Sequence, residues 1–142
     1  MTRTDLLAFL RRHRLGVLSS VSPEGEPEAA VVGIAVTDRL ELVFDTLDTT
    51  RKVGNLRRLP KIAFVVGWDE EITVQLEGLA DEPKGAELDR LKQVYFTAYP
   101  DGPARQSWPG ITYFRVRPVW ARYSDFNPGG KIIEFSEAEL AG

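Results

Sequence analysis

The chain contains no cysteine, one histidine and one methionine in 142 residues. Without thiols it can form no disulfide, no thiolate metal site and no cysteine nucleophile, so any redox chemistry would need a bound cofactor. The one histidine, His13, lies in the basic run Arg11-Arg12-His13-Arg14. There it is expected to satisfy helix-end carbonyls, and histidine-based metal sites are excluded with it. No apolar run nears the ~20 residues needed to cross a bilayer, and Met1 to Leu10 is too short and polar for a signal peptide, so a cytoplasmic location with no membrane partner is expected. The formal net charge of -3, with 27% charged residues, is ordinary for a globular protein and unlike a dedicated nucleic-acid binder. The length suits one domain spanning residues 1–142. Internal repeats, low-complexity tracts and linkers are absent.

What is present reads as an ordered series of short elements. Thr2 and Asp5 have capping-box spacing, and Leu6, Leu7 and Leu10 follow at helical intervals, giving a first helix over residues 3–13. A strand from Gly16 meets turn chemistry at Ser22-Pro23-Glu24-Gly25. The run Ala29 to Val36 is apolar on both faces, so a cover is expected on each. After a turn at Thr37-Asp38, Leu40, Leu42 and Phe44 alternate with Glu41, Val43 and Asp45, predicting a third strand with one wetter face. A helix over 51–59 should bury Val53, Leu56 and Leu59 before Pro60 ends it. Lys61 to Gly67 reads as a buried fourth strand. In the fifth, Ile72, Val74 and Leu76 alternate with Thr73, Gln75 and Glu77, leaving a polar face that can meet a ligand. A helix after Pro83 carries the stripe Leu88, Leu91, Val94, Tyr95 and Ala98, and a long strand runs from Ile111 to Tyr123. The tail around Lys131 to Phe135 is read as either a short added strand or an arm to a partner subunit. This order argues for a mostly β, α+β fold: a six-stranded antiparallel Greek-key barrel with flanking helices.

The chemistry concentrates at Phe44-Asp45-Thr46-Leu47-Asp48-Thr49-Thr50-Arg51-Lys52, where a strand passes through hydroxyl residues into a basic helix. The first amides of a helix lack intrahelical partners and sit at the positive end of its dipole, which favours an anion such as a phosphate. An ordinary threonine-capped surface helix fits the same residues.

With the elements in this order, the chain resembles the pyridoxamine 5'-phosphate oxidase-like flavoproteins of the FMN-binding split-barrel superfamily. The likeness rests on Phe44-Asp45-Thr46 through Thr50-Arg51-Lys52 to Asn55-Leu56-Arg57-Arg58, on Pro60 to Phe64, and on Val74 to Ala80. It implies a split-barrel homodimer with FMN between the subunits and a small-molecule substrate. It places the phosphate on Arg51 and Lys52 with Thr50 at the helix start, and Thr46 on the ribityl chain or phosphate. Phe44, Asp45, Val31 and Val32 would lie along the isoalloxazine, and Thr73 and Gln75 would make polar contacts to it.

In pyridoxamine phosphate oxidases the second strand carries a further cation, whereas residues 23–36 here contain none, and the acidic tail from Glu137 would repel a phosphate. Both features argue against pyridoxamine phosphate as substrate. The expected function is therefore an FMN oxidoreductase of unknown substrate. The alternatives are a deazaflavin- or haem-binding barrel, or a non-catalytic flavin-binding module. Trp68, Trp108 and Trp120 are expected in packing or interface roles, Glu70-Glu71 as a solvated strand start, and Arg115 and Arg117 in cross-strand pairs.

Overall fold

In a computed structural model describing residues 1–142, Thr2 and Asp5 form the reciprocal cap of α1 (Arg3–Arg12), and Leu6, Phe9 and Leu10 are its buried stripe. β1 (Leu15–Val21) and β2 (Pro27–Gly33) form an antiparallel hairpin whose turn contains Gly25 at φ 84°. The apolar run from Ala29 to Val36 is interrupted at Ile34, whose N–H donates to the Arg14 carbonyl, so a separate β3 (Ala35–Val36) follows. The remaining elements are β4 (Leu42–Leu47), α2 (Arg51–Arg58), β5 (Lys61–Val66), β6 (Ile72–Asp81), α3 (Gly85–Ala98), α4 (Gly102–Arg105), β7 (Ile111–Asp125), β8 (Ile132–Phe135) and α5 (Glu137–Ala141).

All eight strands join one antiparallel sheet in the order β2-β1-β5-β6-β7-β4-β3, with β8 added to the far half of β7. The two strands beyond the expected six come from the break at Ile34 and from the tail, which resolves as a strand on its own chain. The sheet curls until β2 lies close to β4 with no ladder between them, which is the split in the barrel. A bulge between Glu77 and Gly78 assists the curl. A side chain at 78 would meet the Arg117 carbonyl oxygen at 2.8 Å. The curled inner face holds the core, including Leu18, Val32, Phe44, Phe64, Leu76 and Phe114.

Three expectations about exposure are corrected. β4 has no wet face: α3 lays Leu91 and Tyr95 over Val43 and Tyr113, and Glu41 is only 5% exposed. Glu41 accepts hydrogen bonds from Thr37, Arg90 and Arg115. Burial pushes its carboxyl up, but the bonds from Arg90 and Thr37 outweigh this and hold it below the ordinary value. β5 is buried on one face only, since Val65 is exposed. The apolar run at Ala29 to Val36 is covered on both faces only at β3; on β2, Val31 remains 61% exposed. Val31, Val17, Val65 and Gln75 stand side by side across β2, β1, β5 and β6, forming a row along the outer face of the sheet. No helix is long and apolar enough to cross a membrane.

Candidate functional site

The inner face of the β1–β2 hairpin meets the start of α2 in a cleft of about 360 Å³. Leu18, Ala29 and Ala30 give it an apolar side, and Thr49, Thr50, Arg51 and Lys52 a polar one. Thr50 occupies the N-cap position yet caps nothing. Its hydroxyl instead donates to the Leu47 carbonyl at 2.9 Å and lies 3.1 Å from the Thr46 hydroxyl. Because that donation uses its only proton, Thr46 must donate to Thr50. The backbone N–H groups of Arg51 and Lys52 find no acceptor in the chain, and the first turn of α2 contains no acid. Two bare amides, the helix dipole and two cations therefore converge.

The two cations differ. Arg51 is largely exposed, and its guanidinium donates to Glu28 at 2.9 Å. Lys52 is half-buried and has no ion pair, and burial alone pushes its ammonium below the ordinary lysine value. A desolvated cation without a partner is an unfavourable arrangement that an incoming anion relieves. Chemically, the corner can take an oxyanion on amides and ammonium while its apolar side receives a less polar portion of the same ligand.

Of the ten residues expected at a flavin site, the structure gathers Thr46, Thr50, Arg51 and Lys52. The other six stand elsewhere in the single chain. Phe44 and Val32 point inward and pack in the core, Phe44 stacked on Phe114 with centroids 5.6 Å apart, so neither side chain lines a cleft. Asp45 points to the opposite side of β4, where it accepts hydrogen bonds from Tyr95 and from Arg105, each at 2.9 Å. Burial, and then the Asp45 charge, push the Tyr95 hydroxyl up. Val31, Thr73 and Gln75 lie on the outer face of the sheet, across the barrel wall from the corner. Thr73 Oγ1 is buried there without a partner.

Sequence reasoning missed Glu28, Asn55 and Ser20. Asn55 donates to Ser20 at 3.0 Å and to Glu28 at 2.9 Å, bracing α2 against the hairpin. One signal was available: Asn55 is a polar residue inside the inward stripe of α2, between Val53 and Leu56, where it is 4% exposed. The other weighed residues follow their ordinary roles. His13 caps the end of α1, its ring against Phe9 at 4.5 Å. Arg115 pairs with Asp81, Glu41 and Glu87, and Arg117 with Asp81. Trp68 and Trp108 are half-exposed in loops. The loop of Trp108 reaches the corner's approach through the bond from Asp48 N–H to the Gly110 carbonyl.

Comparison with known proteins adds two kinds of similarity. A sequence profile described as pyridoxamine 5'-phosphate oxidase matches residues 3–125. A curated protein, the pyridoxine/pyridoxamine 5'-phosphate oxidase of Burkholderia lata, is 32% identical over 104 residues, which is 72% of this chain and 47% of that protein. The chain thus spans about half the length of that relative. Among solved structures, a haem-binding protein from Mycobacterium smegmatis superposes with a TM-score of 0.85 at 18% identity, covering 99% of this chain and 60% of that one. The haem storage protein HutZ from Vibrio cholerae gives a TM-score of 0.72 at 12% identity, covering 83% of this chain and 91% of that one. At those identities the structural matches establish a common split-barrel fold.

Proposed function

Because the chain belongs to the pyridoxamine 5'-phosphate oxidase family, we propose that it binds FMN, with the phosphate at the start of α2, and acts as an oxidoreductase on a small molecule. The observation that carries this is the pair of bare amides beside the unpaired, half-buried Lys52. The donor set fits a phosphate: charge-assisted bonds from amide and ammonium to phosphate oxygens are the strong ones, and the dipole adds to them. Arg51 and Lys52 hold the anion, Thr50 and Thr46 fix the loop that presents it, and Leu18 and Ala30 keep water from one side. When bound, FMN supplies the electron chemistry, and the chain supplies binding and orientation.

The same proposal includes a homodimer. The row Val31, Val17, Val65, with Leu15 beside it, is an apolar strip on the outer face of the sheet, with Leu15 48% exposed. A second copy seated there would bury it, and would bring Val31, Thr73 and Gln75 toward a flavin held by the partner subunit. Sedimentation of Val31→Asp tests this: a monomer with weakened FMN binding supports it, and an unchanged dimer removes it.

The function is tested by titrating the protein with FMN and with riboflavin, followed by NADH or NADPH under anaerobic conditions. A yellow complex selective for FMN and bleached by the nicotinamide supports an oxidoreductase. FMN binding without bleaching by either nicotinamide leaves a flavin-binding module.

A haem site is the second reading. His13, expected from the sequence to hold no metal, lines a cleft of about 640 Å³ between α1 and α3, together with Arg11 and Arg14, and two proteins of the same fold are named for haem. A Soret band that is lost in His13→Ala would favour it over FMN.

A further inference from the structure

Glu28 occupies an unexpected place for an acid. It lies on the inward side of β2, beside the two cations assigned to the phosphate, with its side chain 17% exposed. One carboxylate oxygen accepts from Arg51 at 2.9 Å, and the other accepts from Asn55 at 2.9 Å. The two partners hold it unequally. Asn55 is buried and itself bonded to buried Ser20, so the carboxylate is fixed to the barrel wall. Arg51, with a side chain 76% exposed, makes no side-chain bond other than the one to Glu28. The pair is thus an anchored anion with a cation resting on it.

Resting on the FMN reading, we propose that Glu28 is a built-in competitor for the phosphate, a specificity-determining residue that takes the phosphate's place on Arg51 and lowers the affinity of the corner for a doubly charged phosphate group. The charge it supplies cancels one of the two cations, leaving Lys52 as the only uncompensated one. An arriving phosphate must draw Arg51 away from Glu28 or share the guanidinium with it. In the shared arrangement two anions lie within a few ångströms, and their repulsion grows with each negative charge on the phosphate. A ligand that lacks the phosphate does not sense Glu28.

The test compares wild type with Glu28→Gln, by fluorescence titration of FMN and riboflavin. Glutamine keeps the size of the side chain and an oxygen for Asn55, but cannot form the ion pair. The expected result is that FMN binds about tenfold tighter to the variant, with riboflavin affinity unchanged. In an Arg51→Ala background the same substitution should give a smaller gain. Glu28→Ala removes the brace as well: if Glu28 only braces α2, Glu28→Gln binds FMN as wild type does while Glu28→Ala loses FMN and riboflavin affinity together and melts at a lower temperature without ligand; that result overturns the proposal. Equal FMN affinity in both proteins also overturns it and leaves the FMN reading standing. If neither protein binds FMN, that reading fails, and titration with inorganic phosphate decides on Glu28. Tighter phosphate binding by the variant supports the competitor role, and equal binding overturns it.

Discussion

Two helices of this chain start in opposite ways. At α1, the Thr2 hydroxyl accepts from the Asp5 amide and the Asp5 carboxylate accepts from the Thr2 amide, so the chain closes a reciprocal cap and places an anion at the positive end of the dipole, although the Arg3 and Thr4 amides, like those of Arg51 and Lys52, find no acceptor. At α2 the threonine is in position but its hydroxyl is turned back to Leu47, no acid follows, and two cations occupy the first turn. The longer α3 also lacks a side-chain cap, yet carries Glu87 in its first turn. Among these three helices α2 alone has a first turn with no anion of its own. The difference teaches that the positive start of α2, with no acid of its own to offset it, is a local cost of folding, and that the missing anion is best supplied from outside.

The largest effect should come from removing the cations of the open start. Arg51→Ala with Lys52→Ala is expected to weaken FMN binding by about 3–6 kcal/mol, because each charge-assisted contact contributes roughly 1.5–3 kcal/mol. Riboflavin binding should be nearly unchanged, and of the two single variants Lys52→Ala should lose more, since Arg51 is already paired with Glu28. Fluorescence titration measures both.

Next in size is the conversion of the open start into a closed one. Thr50→Asp supplies the carboxylate that α1 has and α2 lacks. Urea denaturation should show the free protein stabilised by about 0.5–1 kcal/mol. FMN affinity should fall by about tenfold, as the new carboxylate competes for the same amides. Thr2→Ala does the reverse at α1, with an expected loss of about 1 kcal/mol of stability and no change in FMN affinity.

The smallest effects are those of pH, and the two helix starts should respond at opposite ends of the scale. Asp5 is held below its ordinary value by the Thr2 amide and then the Thr2 hydroxyl. Its contribution is present above the unfolded value, about 3.9, and is lost as pH falls through the lowered folded value. Lys52 is lowered by burial, so between its folded value and the ordinary one, about 10.4, the unfolded chain binds more protons and the free protein gains stability as pH rises. FMN affinity should fall over the same interval, because Lys52 loses its charge. Affinity that stays flat as the pH rises to the ordinary lysine value, about 10.4, would separate Lys52 from the phosphate.

What was legible in the sequence was local. Thr2 and Asp5 announce their cap because the bonds span three residues, and β6 alternates cleanly because only one of its faces is buried. Thr50, Arg51 and Lys52 could be found because they are contiguous. The failures share the opposite cause. Glu41 and Asp45 looked solvated because their partners, Arg90, Arg115, Tyr95 and Arg105, lie far along the chain and arrive with α3, α4 and β7. Glu28 and Asn55 are 27 residues apart, and nothing in either segment foretells their bond. α4 was hidden because Asp101-Gly102-Pro103 reads as a stop signal, yet proline at a first turn also suits a short helix. Phe44 was drawn to the flavin by family likeness, while its place on the inward side of β4 commits it to the core.

The most direct measurement is the amide spectrum of isotope-labelled protein titrated with FMN and, separately, with riboflavin. The Arg51 and Lys52 amide resonances should move strongly downfield with FMN and hardly at all with riboflavin, as bare donors acquire a phosphate acceptor. FMN bound at full occupancy with both resonances unmoved would contradict the assignment of the phosphate to α2.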